Sequence, residues 1–277
     1  MFYLIAVSLL WAFSFGLIKR YLAGVDSALV TTIRLGLSLI VFLPFLRLRG
    51  VSIRIGFTLA AIGAVQFGVM YLAYIESFHY LHAYEAALFT ITTPIFVTLL
   101  VDCFERNLRP RALGAALLAV IGTGIIVVKS TDLKLTLAGL GLVQLSNVAF
   151  AFGQVFYRRL RKRHATLKDR EIFALLYTGA VVVAVAALVG RGVSFQLTAP
   201  QLWTLLYLGV IASGVGFFLW NKGAVQMKGG TLAVMNNLKV PLAVACALLF
   251  FGESANLPRL IASLLVLGAA VWLAEKN

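Results

Sequence analysis

Ten apolar runs of 17 to 23 residues follow one another through the 277-residue chain, at about 2–18, 28–46, 55–77, 83–102, 112–128, 135–157, 172–189, 201–221, 231–251 and 258–274. A helix needs about 20 such residues to cross ~30 Å of hydrocarbon. Only 12% of residues are charged against 61% apolar, whereas soluble domains carry about 25% charged, too few here to clothe a water-facing surface. An all-α membrane protein of ten transmembrane helices is expected. The first run lacks a basic leader and a small-residue cleavage pattern, so it is expected to stay as a helix.

The cations set an orientation. Lys and Arg in the connections after runs two, four, six and eight number 15, against 6 after the odd-numbered runs when Arg259, at the head of run ten, is counted with them. Positive-inside bias puts the first set, and with it both termini, in the cytoplasm. The net charge of +14 fits topology signals and anionic lipid, so no nucleic-acid partner is expected. The dense stretch RRLRKRHATLKDRE at 158–171 is read as a cytoplasmic loop. Cys103 and Cys246 lie in apolar context without metal spacing and are expected as reduced packing residues.

The chain also repeats itself. WAFSFG at 11–16 returns as VAFAFG at 148–153, and the stretch 86–128 echoes 232–273. Pro94 matches Pro241 at a spacing of 147; Glu105 matches Glu253, and Arg111 matches Arg259, at 148. Each half holds five helices, an odd number, so the second copy enters the membrane from the opposite side. Halves 1–134 and 135–277 are thus expected as inverted repeats about an axis in the membrane plane, the architecture of rocking secondary transporters.

The order Trp11 to Lys19, Arg34 in the next run, and a Pro leading to Glu in runs four and nine resembles the EamA-type transporters of the drug/metabolite transporter superfamily. The likeness covers two EamA units, about 3–129 and 137–275. It implies a ten-helix bacterial inner-membrane permease, an exporter of amino acids or other small metabolites, with a central cavity between helices 1, 3, 4, 6, 8 and 9. The chain departs from the family pattern at FERN, which lacks the common Gly before Glu, and at Lys239 in run nine.

Polar groups in hydrocarbon need a partner or a water-filled cavity, since a central cation costs about 2.5–3.5 kcal/mol on insertion scales. Lys239 sits mid-run beside Asn236 and Asn237 and just before Pro241, where a helix can open. It is expected to hold a substrate carboxylate or a coupling proton; the plainer alternative is a buried carboxylate partner. Gln144, Asn147 and Gln154 share one face of run six, facing the cavity or making interhelical hydrogen bonds. Trp11, Phe15, Tyr71, Tyr74, Trp220 and Asn221 offer aromatic walls with polar tips, although interfacial belting explains Trp and Tyr as readily. Glu76, His79, His82 and Glu85 cluster at an outer hairpin, suited to proton coupling, an outer gate or plain solvation. Pro94, Pro241 and Arg34 are taken as structural. Small residues in runs five and ten, Ala115 and Ala119 among them, predict close helix contact.

No HExxH, P-loop or dinucleotide fingerprint occurs, so no enzyme, no cofactor and no metal is expected. Proline-interrupted inverted repeats favour alternating access over a channel. A central Lys in place of a central Glu favours anionic or zwitterionic solutes over the bulky cations of a multidrug exporter. Export of amino acids or related carboxylates is the expected function, the small-molecule substrate and the lipid bilayer being the partners; monomer and homodimer stay open.

Overall fold

The computed structural model describes the chain except Ala23, His82, 128–135, Gly190, 192–195, 251–256 and Asn277, and within helices it leaves aside the side chains of Phe15, Lys19, 83–85, Ala87, 126–127 and Ala247. Among the described residues the ordered elements are all helical. They are α1 (Phe2–Tyr21), α2 (Ser27–Phe42), α3 (Ile53–His79), α4 (in two pieces, Ala83–Thr90 and Thr93–Glu105) and α5 (Pro110–Val127). There follow α6 (Leu137–Arg163), α7 (Asp169–Leu188), α8 (Ala199–Gln226), α9 (in two pieces, Gly229–Met235 and Lys239–Phe250) and α10 (Leu257–Glu275). Eight are long and apolar enough to cross a bilayer, whereas the apolar stretches of α1, Phe2–Ile18, and α5, Pro110–Ile125, are shorter.

One sequence expectation is corrected at once. The cationic stretch from residue 158 begins inside α6, which runs on to Arg163, and Arg158 and Arg161 are buried. Their charges find partners in the protein: Arg161 pairs with Asp169 at 2.7 Å and Arg158 with Glu105 at 3.4 Å. The Arg158 guanidinium also donates to the Met227 carbonyl at 3.1 and 3.2 Å. With ligands of this kind a helix can continue past its apolar run, because buried charge is tolerated once paired and hydrogen-bonded.

Four irregularities shape the interior. Helices α3 and α8 each carry a π-helical segment, Ala64–Val69 and Tyr207–Val215. Helices α4 and α9 are broken, at Ile91–Thr92 and at Asn236–Leu238. Pro94 and Pro241 follow the breaks closely; each lacks an N–H and crowds the carbonyl four residues earlier. Wider or broken turns free backbone carbonyls, which at membrane depth must be satisfied by neighbours.

Those neighbours are present. In α8 the Gly209 carbonyl accepts from Ser38 Oγ at 2.8 Å and that of Ala212 from Trp11 Nε1 at 2.9 Å. The Ser213 and Gly214 carbonyls accept from the Tyr177 hydroxyl at 2.6 and 3.0 Å. In α4 the Phe89 carbonyl accepts from Asn147 at 2.8 Å and that of Ile91 from Asn237 at 2.9 Å. Side chains from α1, α2, α6, α7 and α9 thereby hold the irregular backbone in one arrangement.

Packing follows the small residues. Ala115 and Ala119 of α5 are buried with Leu267, Ala270 and Ala274 of α10, the contact expected from their spacing. A second close approach, between α3 and α7, was not foreseen. A Cβ on Gly63 would lie 1.9 Å from the Leu176 carbonyl oxygen, and one on Gly179 1.9 Å from that of Ala60. Only glycine allows the two backbones so near. Around them the rings of Phe67, Phe173, Tyr177 and Phe217 interlock, with Phe67 stacked 4.6 Å from Phe217 and 5.3 Å from Tyr177.

Candidate substrate cavity

The interior opens into a cavity of about 650 Å³, part of it continuous with the surroundings, lined by residues of α1, α2, α3, α4, α6, α8 and α9. Its lining lies at mid-helix or toward the end remote from the arginine-rich face that carries Arg109, Arg158 and Arg161. Tryptophan and phenylalanine form one wall: Phe217 packs 5.1 Å from Trp11 and 5.9 Å from Phe150.

Lys239 restarts α9 after the break and reaches into this cavity. Its ammonium stands 5.5 Å from the Trp11 ring centroid and 5.6 Å from that of Phe150, close enough for a cation–π attraction. Among the described residues no carboxylate lies within ion-pair distance, and none accepts a hydrogen bond from it. The alternative of a Lys neutralised by a protein carboxylate therefore finds no partner there.

Arg34 of α2 is the second cation. It is buried, 3% exposed, and lines the same cavity. Its Nε and Nη2 donate to Ser213 Oγ at 3.2 and 3.1 Å, and Nη2 also donates to the Tyr71 hydroxyl at 2.6 Å. The guanidinium carbon lies 4.1 Å from the Tyr71 ring centroid. Arg34 thus ties α2 to α3 and α8, as a structural role requires. Its Nη1, however, is buried without a hydrogen-bond partner, and the structural reading left the residue's place in the cavity wall unforeseen.

Trp11, Tyr71, Tyr74, Asn147 and Lys239 of the predicted set line the cavity. Others lie outside its lining. Gln144 bonds Thr92 at 2.8 Å and the Phe89 carbonyl at 3.3 Å, and Asn237 bonds the carbonyls of Ile91 and Ala119 and the hydroxyl of Thr123. Both cap the broken backbone. Gln154 accepts from Trp220 Nε1 at 3.0 Å and exchanges hydrogen bonds with Asn236 at 3.2 and 3.3 Å. Asn221 forms a reciprocal amide pair with Gln66 at 3.0 and 3.3 Å. These four predicted residues, with Gln66, make a buried polar layer between the cavity and the arginine-rich face. Phe15 and Glu85, by their side chains, and His82 altogether lie outside the described residues.

Of the predicted outer cluster, only the side chains of Glu76 and His79 are described. Glu76 accepts from Ser27 Oγ at 2.6 Å and lies 3.7 Å from Arg191, which also pairs with Asp26 at 3.5 Å. The Ser27 bond makes the Glu76 carboxylate a tie between α3 and the start of α2, and His79 is exposed. Phe150, Phe217 and Ser213 were missed in the sequence. A signal existed for Phe150: it is the first Phe of the second copy of the doubled AFxFG stretch.

A helical membrane protein whose mostly apolar cavity holds two cations at the meeting of broken helices fits a transporter by class. The model of the EamA-like transporter family matches residues 1–128 and 137–274, and the chain belongs to that family. It is 43% identical over 278 residues to a biotin transporter of Escherichia coli (strain K12), covering 99% of this chain and 92% of that one. Against a biotin transporter of Salmonella typhimurium the identity is 42% over 277 residues, with 99% and 92% covered. A crystal structure of a protein 17% identical superposes with a TM-score of 0.79 over 99% of this chain and 96% of that one, which shows the fold alone. The relatives' names put biotin where the sequence had led to amino acids, and they do not speak of efflux.

Proposed function

We propose that the protein carries biotin across the inner membrane of a bacterium. The observation that carries this reading is the Lys239 ammonium in the cavity, without an acceptor among the described residues and flanked by Trp11 and Phe150. Biotin is a fused ureido and thiolane bicycle on a valerate tail, so it brings one carboxylate and a compact apolar body. An ammonium that meets no acceptor among the described residues suits the carboxylate, and the aromatic wall suits the bicycle. The relatives at 42–43% identity over nearly the whole chain support the same substrate.

The irregular backbone supports a mechanism. Ten helices in two inverted halves, 1–134 and 135–277, would rock about the cavity, with the paired π segments of α3 and α8 and the paired breaks of α4 and α9 as the equivalent elements. The layer of Gln66, Gln154, Trp220, Asn221 and Asn236 closes one side in the present arrangement. Both termini would be cytoplasmic, with that layer toward the cytoplasm.

The test is uptake of radiolabelled biotin into proteoliposomes holding the purified chain, with unlabelled biotin, alanine and an organic cation as competitors. Saturable uptake blocked by biotin alone supports the proposal. Uptake displaced by alanine would restore the amino-acid reading, and displacement by the cation would replace it with a multidrug one.

A further inference from the structure

Beyond the Lys239 pole, Arg34 in the cavity wall holds a second donor without a hydrogen-bond partner among the described residues. Of the three Arg34 nitrogens, Nε and Nη2 are taken by Ser213 and Tyr71, and Nη1 is buried with no partner. A buried donor without a partner costs about 1–3 kcal/mol, more when charged, and buried orphans of this kind call for a ligand or water. Phe217 lies between the two poles, 5.7 Å from Tyr71 on one side and 5.1 Å from Trp11 on the other.

The two cations are not equivalent in what they can still bind. A carboxylate is best gripped by a fork of two parallel N–H donors, and Arg34 has already spent that fork inside the protein. Two N–H donors are left, both on Nη1, and a single nitrogen suits one neutral carbonyl oxygen better than the two oxygens of a carboxylate. Lys239 has three donors and no acceptor among the described residues, so the charged end of a ligand belongs there.

Resting on the biotin reading, we infer that Arg34 is the specificity-determining residue for the uncharged end of the substrate. Its Nη1 donates to the ureido carbonyl oxygen while Lys239 holds the carboxylate, and Tyr71 and Ser213 fix the guanidinium for that task. The cavity therefore selects a molecule with two acceptor poles on an apolar body. A ligand bearing a cation in place of the carbonyl is rejected, since it meets a like charge and leaves Nη1 unpaired.

Competition against radiolabelled biotin in proteoliposomes separates the poles. Dethiobiotin keeps the ureido carbonyl and the carboxylate and competes within about threefold of biotin. 2-Iminobiotin carries a protonated guanidinium where biotin has the urea and is weaker by about tenfold or more, the worth of one charge-assisted hydrogen bond. Biotin methyl ester weakens through the other pole. In Arg34→Gln and Arg34→Met the iminobiotin gap closes to within about threefold and the ester gap persists, a split that a merely structural Arg would not give.

Iminobiotin competing as well as biotin at the wild-type protein overturns the inference, as does an unchanged gap in the Arg34 variants. The wild-type ranking needs no variant and decides the matter even if both substitutions prevent folding. Absence of biotin uptake by the wild-type chain removes the functional reading and this inference together, whereas uptake with an indifferent ranking removes this inference alone.

Discussion

Two polar regions lie on either side of the aromatic wall, and they treat their hydrogen-bonding groups in opposite ways. Toward the arginine-rich face the groups are reciprocally used: Gln66 with Asn221, Gln154 with Trp220 and Asn236, Arg158 with Glu105 and the Met227 carbonyl. In the cavity Lys239 is left without an acceptor among the described residues, and Arg34 keeps an orphan Nη1. Polar residues in a membrane interior are costly in both places. The difference lies in who satisfies them: the protein itself in the seal and, as proposed above, a substrate in the cavity.

Breaking the cavity side should have the largest effect. Lys239→Met keeps the length and apolar stem but removes the charge, and biotin uptake is expected to fall about 100-fold, the upper range for a hydrogen bond to a charged group. Thermal stability in detergent should hold or rise, because an ammonium without an acceptor among the described residues leaves a half-buried site. Near-normal uptake by the variant would end Lys239's role as the carboxylate anchor.

On the seal side, stability should change and affinity should not. Gln154→Ala strands the Trp220 N–H and one end of the Asn236 amide, each worth about 1–3 kcal/mol when buried and unpaired. A clear drop in melting temperature is expected, with biotin affinity within about threefold of wild type. The reverse pattern, intact stability with lost affinity, would move Gln154 from the seal into the binding site.

These contrasts also mark what could be read before the fold was known. The apolar runs follow from length and composition, and the break in α9 from Pro241 behind two Asn. That Lys239 would face a cavity was the favoured reading, because a cation mid-run in hydrocarbon needs either a charged partner or a water-filled cavity. The amide residues were not separable in this way. Gln144 and Asn237, which cap freed carbonyls, and Asn147, which caps one and also lines the cavity, look alike as polar positions on apolar helices. Which carbonyl is freed depends on a neighbouring helix's break. Phe150 and Phe217 were hidden for the opposite reason, since an aromatic in an apolar run reads the same whether it meets core or cavity. The π segments leave no simple pattern in composition, and the glycine contact of α3 with α7 needs both helices in view.

A smaller effect is expected at the rim of the seal. Glu105 is 44% exposed and pairs with Arg109 at 3.0 Å as well as with Arg158. Glu105→Gln keeps the shape and removes the charge, and Arg109 retains the buried Asp102 at 2.8 Å. Partly exposed pairs contribute about 0–1 kcal/mol, so the melting temperature should shift by a few degrees at most. If the seal opens to let substrate pass, uptake should change by only a few-fold. Complete loss of uptake would make this pair a part of the transport cycle and not a support for the helices around it.

The smallest effect belongs to the tie at the opposite end. Arg191, 42% exposed, reaches Asp26 at 3.5 Å and Glu76 at 3.7 Å, distances that give weak attraction in a high-dielectric setting. Glu76 keeps its stronger bond from Ser27 at 2.6 Å, and Asp26 keeps its cap on α2 through the Ala28 and Leu29 amides at 2.9 Å, whatever Arg191 does. Arg191→Gln should therefore leave both melting temperature and biotin uptake within measurement error, at low as well as at high salt. Screening supplies a second check: salt weakens exposed pairs within a Debye length of about 8–10 Å, so a functional tie would show uptake that varies with ionic strength in the wild type but not in the variant. That pattern would turn the Asp26–Arg191–Glu76 cluster from a passive surface contact into a latch over the cavity, and would place a third charge-bearing region beside the two compared above.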